Sequence, residues 1–70
     1  MTDTTLLKKK IDESGLRLDY IYKSLDISRV SLHNKMSGKT EFTLKEVQRL
    51  CDILNITSLR EKEKIFFSEM

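Results

Sequence analysis

Residues 15–38, GLRLDYIYKSLDISRVSLHNKMSG, decide how this chain folds. Apolar residues at helical spacing flank Asp26-Ile27-Ser28, and the spacing predicts two short helices joined by a tight turn. The first spans roughly Leu18 to Leu25, with Ile21 and Leu25 inward and Tyr20, Tyr22 and Lys23 more exposed. Its cap is weak, because Arg17 stands where Ser, Thr or Asn would serve better, and Asp19 offers a second possible start. Ser28 can accept from the free N–H groups that open the next helix, Arg29 to Met36. Leu32 and Met36, four apart, share the buried face of that helix, while Arg29, Val30, His33, Asn34 and Lys35 lie on exposed positions.

Upstream, the pattern predicts a helix from about Thr5 to Ser14, capped by Asp3 or Thr4, with Leu7 and Ile11 inward, Gly15 as a left-handed stop and Leu16 tucked beneath. Downstream, Ser37-Gly38 ends the second helix of the pair. Thr43-Leu44-Lys45-Glu46 is a capping-box pattern opening a helix that buries Leu44, Val47, Leu50, Cys51 and Leu54 before Asn55 ends it; Ile56 closes the core. Ser58-Leu59-Arg60-Glu61 repeats the capping pattern and opens a last helix over about 58–68, with Leu59, Ile65, Phe66 and Phe67 as its apolar residues. There is no proline and no useful strand alternation, so the expectation is all-α: one compact five-helix domain over residues 1–70.

Composition narrows the function classes. One cysteine, Cys51, forms no internal disulfide, and no second Cys or His lies near enough in sequence for a zinc site, so neither a metal nor a cofactor is expected and the chain reads as cytosolic. Cys51 on the inward stripe reads as a small apolar side chain. No apolar run approaches a membrane span, and MTDTTLLKKK carries its basic residues after its apolar pair, unlike a signal peptide. His33, the sole histidine, has no nucleophile or carboxylate within helical reach, which argues against an enzyme and a small-molecule substrate. Net charge is only +2, but it separates along the chain: residues 27–40 hold Arg29, Lys35 and Lys39 and no acid, whereas residues 50–70 hold three cations and four acids.

That distribution fits DNA. A helix enters the major groove, about 12 Å wide, and its first turns bring side chains against base edges. Arg29 can pair with guanine, Asn34 with adenine, Val30 can touch a thymine methyl, and His33 can donate or accept. Ser37, Lys39 and Thr40, with the loop's backbone N–H groups, offer phosphate donors. Thr43 and Lys45 stand at a helix N-terminus beside them, and Arg17, Lys23, Ser28 and Lys35 are further phosphate candidates. The order Leu25-x-Ile27-Ser28 followed by Leu32 and Met36 sets an interhelical angle in the manner of a helix-turn-helix over about 18–36.

On GLRLDYIYKSLDISRVSLHNKMSGKTEFTL and LCDILNI, residues 5–56 resemble the small Cro- and repressor-type helix-turn-helix regulators of phages and bacteria, and with the terminal EKIFF the chain is most similar to the Cro-like proteins of Gram-positive phages. The resemblance implies a lambda-repressor-like five-helix domain whose third helix reads an operator on double-stranded DNA, acting in the host cytoplasm at the nucleoid. It also implies base reading by Arg29, Val30, His33 and Asn34, and phosphate contact by Ser37, Lys39 and Thr40. The chain departs from the family at Leu18, where Gln is usual, at Tyr22, where a small residue is common, and at Asp26, where Gly is common.

Phe66 and Phe67 are adjacent on one helix and cannot both face the core, which predicts that Phe66 docks the helix and that Phe67, with Ile65 or Met70, forms a self-association surface. A dimer would set two recognition helices about 34 Å apart on a roughly palindromic operator. The alternative reading is a helix-turn-helix module that binds another regulator, as an antirepressor would, through Tyr20, Tyr22, Phe66 and Phe67. Lys8, Lys9 and Lys10 read as a solvated helix face.

Overall fold

A computed structural model describes residues 1–68, and these form five α-helices with no strand: α1 (Thr4–Ser14), α2 (Leu18–Ser24), α3 (Arg29–Met36), α4 (Leu44–Ile53) and α5 (Leu59–Phe66). Each helix but α2 opens on a side-chain cap. Asp3 accepts from Leu6 N–H, Ser28 from Ser31 N–H, Thr43 from Glu46 N–H and Ser58 from Glu61 N–H. Arg17 gives α2 no such bond, and the helix nevertheless starts at Leu18 rather than Asp19. The box at Thr43 is complete, since the Glu46 carboxylate accepts from the Thr43 N–H. At Ser58 it is not closed, because the Glu61 carboxylate is drawn to Lys10 on α1, 2.6 Å away.

Two side-chain-bearing residues take the left-handed conformation, Asp26 in the α2–α3 turn and Asn55 after α4, both at φ 57°. Asp and Asn tolerate this region because the short polar side chain bonds locally. The molecule extends 27 × 24 × 20 Å. Helix α1 packs on α3 and α5, and α2 packs on α3 and α4, around a core in which Leu7, Ile21 and Leu50 are fully buried. Leu54, Ile56, Ile65 and Phe66 complete one side of this core, with Phe42 edge-on to Phe66 at 6.3 Å between ring centroids.

Two apolar expectations fail, for different reasons. Leu44, expected to be buried, occupies the first helical position after its cap and is 66% exposed; Leu59, at the same position of α5, is 69% exposed. Ile65, expected at a self-association surface, instead joins the hydrophobic core with Leu7, Ile11 and Phe66, and the chain start pairs along the end of α5, Asp3 N–H donating to Ile65 O and Ser68 N–H to Met1 O. Phe66 and Phe67 divide as expected, the first buried and the second exposed. Met70 lies outside the described residues.

Candidate nucleic-acid interface

Helix α3 has one buried side chain, Leu32, with Met36 half-buried beside it against the core. The opposite face is built for contact. Arg29, Val30 and His33 are exposed and Asn34 is half-exposed, so the four base-reading candidates share the outward side of one short helix. Val30 is 68% exposed, which a β-branched side chain with no partner does not gain from in isolation. Arg29 occupies the first turn, next to the positive end of the helix dipole, where a cation is unfavourable unless an anion joins it.

The loop after α3 is organised by a single carbonyl. Asn34 O accepts from Lys39 N–H at 2.9 Å, Thr40 N–H at 3.3 Å and the Ser37 hydroxyl at 3.0 Å. Gly38 N–H donates to Lys35 O and Ser37 N–H to His33 O. The backbone N–H groups of residues 37–40, expected to bind phosphate, are therefore consumed by the turn, and so is the Ser37 hydroxyl proton. What the loop offers is the Lys39 ammonium and the Thr40 hydroxyl, both exposed. Ser28 and Thr43 use their oxygens as cap acceptors and keep a hydroxyl proton to donate outward.

Lys35 departs most from expectation. Its ammonium donates to the Glu46 carboxylate at 2.8 Å and to Glu41 O at 3.2 Å, lies 5.8 Å from the centroid of the Phe42 ring, and its side chain is only 11% exposed. It faces inward because it falls three residues after Leu32, on the flank of the buried stripe, and that spacing was the signal available in the sequence. A side chain so held is not a phosphate ligand. Burial raises the affinity of Glu46 for its proton, but the bonds from Lys35 and from Thr43 outweigh it and hold the carboxyl below the usual range.

On the other flank, Arg17 and Lys23 are exposed. Arg17 meets Asp19 at 3.4 Å, an exposed pair of little strength that leaves the guanidinium able to reach an anion. A groove of about 850 Å³ runs from α1 across the start of α2 to α3, lined by Lys8, Arg17, Arg29 and His33, by the acids Asp12 and Asp19, and by apolar residues including Leu18, Tyr22 and Leu32. Leu18, 55% exposed, lines the same groove as two base-reading candidates, Arg29 and His33. Lys8 joins the lining although the lysine run reads as solvated, whereas Lys10 is committed to Glu61, whose hydrogen bond raises its pKa.

Leu44 and Phe67 line a second, shallower pocket with Met1 and Phe42. Phe66 is buried and supplies no anchor for a partner; Tyr20 and Phe67, about half exposed, remain. Cys51 is buried, which pushes its thiol pKa up and disfavours the nucleophilic thiolate. Among the described residues no group of His, Cys, Asp and Glu is arranged to hold a metal ion, and no helix is long and apolar enough to cross a membrane. Compared with protein-family models, curated proteins and solved structures, the chain matches none.

Proposed function

We propose that this chain is a sequence-specific DNA-binding transcriptional regulator, a phage Cro-like repressor in which α2, the Asp26 turn and α3 form a lambda-repressor-like helix-turn-helix. The observation that carries this reading is the division of α3: one buried leucine on the core side, and Arg29, Val30, His33 and Asn34 together on the outer side. Arg29, Val30, His33 and Asn34 read bases; Arg17, Lys23, Lys39, Thr40 and the hydroxyls of Ser28 and Thr43 hold phosphates on either side. No cofactor or small-molecule substrate takes part, and no catalysis is involved. Occupancy of the operator, and so repression, is set by protein concentration.

In this reading two copies bind a roughly palindromic site, self-associating through exposed Phe67 and Leu44 rather than through Ile65. The test is a titration of the purified protein against random genomic fragments at two salt concentrations, with sequencing of the retained DNA. Enrichment of one short palindromic motif supports the reading. Retention without a motif, or none, moves the assignment to a module that binds another regulator, a reading favoured by the apolar lining of the groove at Leu18 and Tyr22.

A further inference from the structure

Resting on the DNA-binding reading, we propose that Glu46 is an internal counterion that withholds Lys35 from DNA, making this pair a determinant of how selectively the interface binds. Lys35 is the penultimate residue of the proposed base-reading helix, next to Asn34 and one residue before the loop that carries Lys39 and Thr40 begins at Ser37. Its side chain is long enough to reach either the protein interior or a phosphate running past that loop. The Glu46 carboxylate decides between them. It sits at the third position of α4, fixed by the Thr43 N–H at 2.8 Å, and takes the Lys35 ammonium at 2.8 Å, while Glu41 O accepts a second ammonium proton.

Two consequences follow from charge. A cation already neutralised by a neighbouring carboxylate releases no counterion on binding, so Lys35 adds nothing to the salt dependence of DNA affinity. Contacts to phosphate strengthen binding to every sequence alike, so a free Lys35 would enlarge the non-specific sink without adding base discrimination. The pair also ties α3 to the start of α4, fixing residues 37–43 relative to the base-reading face.

The experiment measures log K against log salt on a random duplex for the whole chain and five variants, after circular dichroism confirms that each is folded. Lys35→Met is expected to keep the wild-type slope, whereas Lys39→Ala lowers its magnitude by about 0.9. Glu46→Gln, which can keep the capping box, is expected to raise it by about 0.9 and to tighten random-DNA binding several-fold near 0.1 M salt. Adding Lys35→Met to Glu46→Gln should restore the wild-type slope, and Glu63→Gln at an exposed position of α5, the control for simple loss of an acid, should not change it. A lower slope in Lys35→Met, no change in Glu46→Gln, or an equal rise in Glu63→Gln overturns the proposal while DNA binding stands. Absence of any wild-type binding overturns both.

Discussion

Replacing Leu32 by Ala separates what holds α3 in place from what it presents. Leu32 is 3% exposed and is the one buried side chain of the helix. Truncation removes three carbon groups, worth about 2.4 kcal/mol at about 0.8 kcal/mol each, and leaves a gap whose cost depends on how far the surroundings relax. Because Leu32 also lines the open groove, part of that gap can be filled by water, which keeps the total near the lower end of the observed range, about 3 kcal/mol. A chain of this size is stabilised by roughly 4–10 kcal/mol in all, so the variant stays largely folded in the cold and loses roughly 12–24 °C of melting temperature. Urea unfolding followed by helical circular dichroism gives the free energy directly. Val30→Ala, on the exposed face, should change stability by less than about 0.5 kcal/mol. A loss below about 1 kcal/mol for Leu32→Ala, or equal losses for both variants, would refute the account of α3 as a helix pinned by one leucine.

Arg29→Ala and Asn34→Ala are each expected to cost about 1–3 kcal/mol on the operator and to relax preference at one base pair, read by titration against single-base operator variants. Asp26→Gly relieves the left-handed turn and should stabilise the fold by about 0.5–1 kcal/mol in urea unfolding; on the DNA-binding reading, the loss of an acid from the helix-turn-helix should also tighten DNA binding at low salt. Glu46→Gln should destabilise the fold by roughly 1–3 kcal/mol at neutral pH, between the values for exposed and buried pairs. Since the folded carboxyl titrates below its unfolded value of 4.5, the wild-type advantage is full above that value and fades as pH falls through the lower folded one, so unfolding curves of the two proteins should converge in strong acid.

Helix boundaries were legible because punctuation is local: Asp3, Ser28, Thr43 and Ser58 each cap the helix that follows, and Gly15 stops the first. The buried stripes at Leu7 and Ile11 and at Val47, Leu50, Cys51 and Leu54 followed from helical period alone. Pairings between distant residues were hidden. Nothing local in Lys35 names Glu46, eleven positions on, as its partner, and nothing in Ser58-x-x-Glu61 reveals that Lys10 diverts the glutamate. Leu44 misled because period says which way a side chain points and not whether a neighbour stands there. Backbone hydrogen bonds misled likewise: the turn at residues 37–40 uses the N–H groups that a loop on paper seems to offer.

The carbonyl of Asn34 gathers the following loop by three hydrogen bonds, and every residue type would supply the same carbonyl. The side chain at position 34 is thus free to change identity while the loop beneath it keeps its shape. Under the proposed DNA-binding reading, single substitutions at positions 29, 30, 33 and 34 change base preference and leave the loop that carries Lys39 and Thr40 in place. On that reading a regulator and its operator diverge together in small steps, each intermediate still holding DNA.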